Sequence, residues 1–175
     1  MAYFAPVIPA LDLTYTYTRV VPRGNSGGIP INPGSLWDYL NESPKHKIFR
    51  HLVSIAQLSE IFNDQQAEIT AFVPDDELLL KKFPRNVFVN MEKHQARRMI
   101  EYNTLPRLIN MKELLSSGSM KLNTRIRGQV IYTQVKGSHE NPTLFLNMTS
   151  RVVRPNLIVG NALIHVTDAF VVPEM

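Results

Sequence analysis

The chain contains no cysteine in its 175 residues, so neither a disulfide framework nor a thiol nucleophile nor a thiolate metal site is available to it. No apolar run approaches the roughly 20 residues that a membrane-crossing helix needs, so no membrane span is expected. The opening stretch Met-Ala-Tyr-Phe-Ala-Pro-Val-Ile-Pro has no basic residue, and two prolines interrupt its apolar part. It does not read as a secretory signal. With Met1 retained, the expectation is an intracellular or virion location, and an extracellular one is the alternative. Catalytic signatures are missing too. There is no Gly-x-Ser-x-Gly elbow, and His46, His51, His94 and His139 show no His-x-x-x-His or His-Glu-x-x-His spacing. The glycines from Gly24 to Gly28 are not followed by Lys-Ser/Thr, so they cradle no phosphate. No catalytic residue, no metal and no cofactor is expected.

What is present is ordinary for a globular chain: 44% apolar and 19% charged residues, enough for one domain with a core. The net charge of +4 conceals an asymmetry. Residues 35–80 hold eight acids against three bases, whereas residues 81–128 hold eleven bases against Glu92, Glu101 and Glu113. The expected partners are neighbouring protein subunits with acidic or sheet-edge surfaces. Nucleic acid is not expected, because the bases are scattered over several elements and no recognition helix or aromatic pairing accompanies them.

Residues 1–34 differ from the rest, with five prolines, four glycines and only Asp12, Arg19 and Arg23 charged. Within this arm, Leu11, Leu13, Tyr15 and Tyr17 alternate with Asp12, Thr14, Thr16 and Thr18, the pattern of a half-buried strand over Leu11–Val20. An apolar stripe of this kind without a partner invites aggregation, so it lies on its own domain or on a neighbour. Leu11, Leu13, Tyr15, Tyr17, Arg19 and Arg23 are the candidate partner-binding residues.

Residues 35–175 carry helix signals first and strand signals later. Ser35-Leu-Trp-Asp38 caps a helix, and Ile48, Phe49, Leu52, Val53 and Ala56 recur at helical spacing after Pro44. Ile69–Val73 reads as a buried strand that Pro74 ends, with Asp75 or Asp76 capping a short helix. The acidic Asp75-Asp76-Glu77 triplet is a helix start rather than a metal site. Asn90 is expected to cap a helix ending near Glu101, and Asn110 a helix that Gly118 ends. From Ser119 the periodicity becomes two. Strands are expected at Gln129–Lys136 and Thr143–Met148, and in a closing hairpin Leu157–Val159 and Ala162–Val172 that reverses at Gly160-Asn161. The fold class is α+β. Along the last strand His165 and Asp168 stand three apart, on opposite faces, which argues against a general-base pair. Asn147-Met-Thr149 and Asn41-Glu-Ser43 fit the N-glycosylation pattern.

The segment from Asn161 through His165 and Asp168 to Pro173 resembles the closing signature of the fasciclin (FAS1) domain family. A second block, with Thr70, Phe72, Pro74, Asp75 and Asp76, resembles the family's Thr-x-Phe-(Ala/Val)-Pro-(Thr/Ser)-(Asp/Asn) motif. Tyr102-Asn103 resembles its Tyr-His segment, with Asn103 where the family has His; the resemblance therefore carries the fold here rather than receptor recognition. It implies a FAS1-like β-sandwich with helices packed early in the domain, and mainly structural roles for these positions. It also implies a non-catalytic interaction module. As the family also occurs in large DNA viruses, one concrete version is a minor capsid or other virion structural protein whose arm binds neighbours. The alternatives are an extracellular adhesion protein and, from another class, a hydrolase using His165 and Asp168.

Overall fold

The computed structural model describes residues 14–18, 25–26 and 29–173. Three short strands come first: β1 (Tyr15–Thr16), β2 (Asn25–Ser26) and β3 (Ile29–Pro30). Helices α1 (Leu36–Glu42), α2 (Lys47–Ile55) and α3 (Ser59–Phe62) follow. Ser35 accepts the Asp38 N–H at 3.0 Å and so caps α1, as its sequence position predicts. The start of α2 lacks a cap of its own; Asp76 supplies one from across the fold, accepting from Lys47 N at 2.8 Å and Ile48 N at 3.1 Å. The expected stripe of Ile48, Phe49, Leu52 and Val53 is the buried face of α2.

Strand β4 (Thr70–Pro74) is buried throughout. Asp75 then caps α4 (Asp76–Leu80) through the Leu78 N–H. A further helical turn, α5 (Asn86–Val89), precedes α6 (Lys93–Tyr102). Here the structure corrects the sequence reading. Asn90 ends α5, and α6 is capped by Glu92 through a capping box with Gln95. Then come β5 (Thr104–Leu105), α7 (Met111–Ser116), capped by Asn110 as expected, β6 (Lys121–Asn123), β7 (Val130–Gly137), β8 (Pro142–Leu146), β9 (Ser150–Val159) and β10 (Ala162–Thr167).

These strands form one hydrogen-bonded path, β5-β4-β10-β9-β8-β7-β6, rather than two separate sheets. Its ends approach each other, since Arg125 N donates to Thr104 O at 2.8 Å just beyond β6 and within β5. The fold is mixed α+β, with a sheet bent toward a barrel. One apolar cluster, built on Phe49, Leu52, Phe62, Ala71 and Phe170, lies between the early helices and the β4-β10-β9 part. A second, built on Phe72, Leu105, Ile131, Leu144 and Val152, fills the bend.

The closing hairpin turns at Gly160-Asn161 as expected. Gly160 has φ +58°, and a Cβ there would come within 2.9 Å of Gly34 O, so both conformation and space require glycine. Two boundaries differ from expectation. Val152–Val153 and Leu157–Val159 are parts of one strand, and the last strand stops at Thr167 rather than Val172. Beyond Thr167 the chain leaves the sheet, sending Phe170 into the first cluster and Val171 into the second.

Candidate functional site

Every residue of β10 is buried, so each polar group on it needs an internal partner. His165 finds two. Its Nδ1 accepts the main-chain N–H of Asn156 at 3.1 Å, which leaves the proton on Nε2, and Nε2–H donates to Ile109 O at 2.9 Å. The approach of Asn156 depends on an irregularity in the β9–β10 pairing opposite His165, where Asn156 adopts φ +59°. Phe72, on the neighbouring strand β4, stacks on the imidazole at 5.9 Å. Both ring nitrogens are therefore committed to main-chain groups.

Asp168 is equally committed, but elsewhere. Its carboxylate accepts from Lys82 Nζ at 2.9 Å and from Arg151 through both N (3.0 Å) and Nε (3.2 Å). It makes no pair with His165, in keeping with their spacing. Thr70 Oγ1 donates to Arg107 O at 2.7 Å and accepts from Ile109 N at 3.0 Å. Thr167 Oγ1 donates to Ala169 O at 2.9 Å. Pro74 offers its carbonyl to His46 Nδ1–H at 2.9 Å, and burial pushes the His46 pKa below its ordinary value. Asn161 lies at the hairpin surface, donating to Gln66 Oε1 at 3.3 Å. Among the described residues, no cluster of three or more His, Asp or Glu side chains could hold a metal ion.

Tyr102 and Asn103 do the most to organise a surface. Asn103 is buried and grips the closing segment from both sides: Val171 N donates to its Oδ1 at 2.8 Å and its Nδ2 donates to Val171 O at 3.0 Å. Tyr102 donates to Val130 O at 2.6 Å and accepts from Asn147 Nδ2 at 2.8 Å. Asn147 also donates to Val172 O at 2.9 Å and accepts the Tyr132 N–H at 2.8 Å. With 3% of its surface exposed and φ +52°, Asn147 is a structural node of the folded chain and not an accessible glycan acceptor. Around this node lies a groove of about 400 Å³, lined by His94, Arg98, Met99, Tyr102, Ile126 and Val172, with Pro173 at its edge. Val172, one of its lining residues, is 38% exposed, and Tyr132 and Met148, at 45% and 48%, are exposed next to Asn147 along its hydrogen bond and its chain.

Of the six arm candidates, Tyr15 and Tyr17 fall within the described residues; Leu11, Leu13, Arg19 and Arg23 lie outside them. Tyr15 and Thr16 pair in parallel with Leu157 and Ile158 of β9, and Tyr17 N donates to Ile158 O at 2.7 Å. This is the edge of β9 left open once β8 parts from it after Arg151. Arg154 stacks on the Tyr15 ring at 4.6 Å, and Tyr17 meets Tyr39 edge-on at 5.2 Å. Burial raises the pKa of Tyr15. The boundary at residue 34 is also bridged. Ile31 is in the core, and Asn63 bonds Pro30 O, the Asn32 N–H and Ser35 Oγ. Sequence reasoning missed Asn63 and Asn156, and read Asn147 only as part of a glycosylation pattern. The only local signal at Asn147 and Asn156 is that asparagine tolerates positive φ better than most residues.

Residues 44–173 match the Fasciclin domain family, three-quarters of the chain. The chain belongs to that family. Its fasciclin domain superposes with a TM-score of 0.67 on a FAS1 domain pair from the insect cell adhesion molecule Fasciclin I, at 21% identity. The match covers 84% of this chain and 53% of the solved one, so the chain spans about half its length. FAS1 domain-containing protein 081L of Invertebrate iridescent virus 3 is 24% identical over 99% of both chains. FAS1 domain-containing protein 096L of Invertebrate iridescent virus 6 is 26% identical over 85% of this chain and 84% of its own. Fasciclin domains are protein-interaction and adhesion modules, and no helix among the described residues is long and apolar enough to cross a membrane.

Proposed function

We propose that this fasciclin domain is a non-catalytic, structural component of a large assembly, such as a minor capsid protein of a large DNA virus, that grips neighbouring subunits with its leading segment. The observation that carries this reading is the short parallel pairing of Tyr15–Thr16 on the open edge of β9. A strand-addition site at that edge supplies affinity through main-chain hydrogen bonds, and exchange of the segment between copies would use the same hydrogen bonds. The iridescent virus relative aligned over 99% of both chains supports the viral setting, because its similarity extends through the leading segment that the family match does not cover. The groove beside Tyr102, with the exposed Val172 in its lining, offers a second contact face whose Arg98 suits an acidic neighbour.

The test is deletion of residues 1–24, which spares the Ile31 and Asn63 anchorage. The expected result is a folded monomer, by near-UV circular dichroism and sedimentation, that no longer enters its assembly. Normal assembly of the truncated chain overturns the reading.

A further inference from the structure

The second apolar cluster uses only one side of β6, β7 and β8. On β7, Ile131 and Thr133 are buried, opposite Leu122 of β6 and Leu146 of β8. Tyr132, Gln134 and Lys136 alternate with them and are exposed, so they stand on the outer side. Directly opposite residues of an antiparallel pair share a face. The register therefore sets Lys121 beside Tyr132 and the half-buried Phe145 beside Gln134, all on that outer side. Tyr132 and Phe145 are diagonal neighbours, about 7–8 Å apart along the face. Each ring carries a cation: Lys121 Nζ lies 5.9 Å from the Tyr132 centroid, and Lys136 Nζ 5.5 Å from that of Phe145.

Neither ammonium has an ion pair or hydrogen bond among the described residues, so their N–H donors are free for an anion. The chain has no acid between Glu113 and Glu140, a stretch that includes all of β6 and β7. Arg151, opposite Phe145 on β9, is held by Asp168 and adds no free charge; Glu140 lies past the end of β7, in the loop before β8. Rings and unpaired cations side by side on an uncovered sheet match the two parts of a nucleotide, its base and its phosphate. Carboxylates of an acidic protein would use the lysines but not the rings. A duplex would offer phosphates while keeping its bases stacked inside, whereas unpaired bases can lie on the rings with their phosphates at the lysines. Along the sequence these cations look scattered and without paired aromatics; the strand register brings both onto one face.

We propose that the outer face of β6, β7 and β8 binds single-stranded nucleic acid, with bases stacked on Tyr132 and Phe145. This goes beyond the assembly role and does not depend on it. The test is fluorescence anisotropy of a labelled oligothymidylate of about 15 nucleotides titrated with the full chain. Saturable binding that weakens with added salt is expected. Tyr132→Ala, at an exposed position, should weaken it about tenfold without lowering the melting temperature. Lys121→Gln and Lys136→Gln should each reduce the slope of log affinity against log salt by about 0.7. Absence of wild-type binding, or undiminished binding by Tyr132→Ala, overturns the proposal. So does competition by heparin, polyglutamate or a duplex of the same length as effective as that by unlabelled oligothymidylate, which would make the face a general anion contact.

Discussion

The main-chain N–H of Asn156 points at Nδ1 of His165 from 3.1 Å and fixes the proton of the imidazole on Nε2. A histidine held this way works as a rivet between β9, β10 and the segment leading to α7. Its ring reaches main-chain groups on two segments that no local turn brings together.

Replacing His165 with Leu should leave the Asn156 N–H and the Ile109 carbonyl buried and unpaired, each costing about 1–3 kcal/mol. The expected loss is about 3 kcal/mol in urea unfolding, with the melting temperature falling accordingly. Unchanged stability together with loss of a measurable turnover would instead favour the hydrolase reading.

Asn147→Gln should also destabilise, by about 2 kcal/mol, through lost hydrogen bonds and a longer side chain forced into positive φ. Expression through a secretory pathway should yield a folded protein without glycan at Asn147, checked by intact mass. A glycan found there would mean that the Tyr102–Asn147–Val172 node does not form.

Acidification should weaken the fold through His46. Burial depresses its pKa in the folded state, so the unfolded chain takes up a proton below about pH 6.5 that the folded chain resists. The stabilisation is complete above that pH and is lost as the pH falls through the lower folded value. Melting temperatures measured from about pH 7.5 down to about pH 5 should drop, and His46→Gln should flatten the curve. An identical slope in that variant would move the effect to another group.

Asp168→Ala should cost about 3 kcal/mol, because it strands the Arg151 N–H and two cations beside a nearly buried position. Lys82→Met should cost under about 1 kcal/mol, as the lysine side chain is 44% exposed and water screens its share. A double-mutant cycle in denaturant separates the two, and equal single-variant losses would contradict this ranking.

Much of the fold is legible along the chain. The Ser35, Asp75 and Asn110 caps, the apolar stripe of α2, the largely apolar strand β4 and the Gly160 turn are all fixed by residues a few positions apart. Where the reading slipped, a nearby competitor won. Asn90 resembled a cap, but Glu92 and Gln95 form the better reciprocal pair. The strand after His165 continues in apolar residues, yet Phe170 and Val171 bury more by leaving the sheet for separate clusters. Asp76 sits in the first turn of α4, and nothing local reveals that its carboxylate caps α2 across the fold.

The amino-acid order alone determined which segments become helix or strand, and it placed the chain among fasciclin domains, because periodicity, caps and short motifs act between neighbours. Which polar groups meet was left to tertiary structure. Asn156 reaches His165, Asn147 reaches Tyr102, and Lys82 reaches Asp168 only once the register of β9 against β10 and the packing of α4 are set. The last two pairings span long stretches of chain, and the first, although only nine residues apart, needs the irregular register of β9 on β10, so their geometry depends on how the intervening elements come to rest.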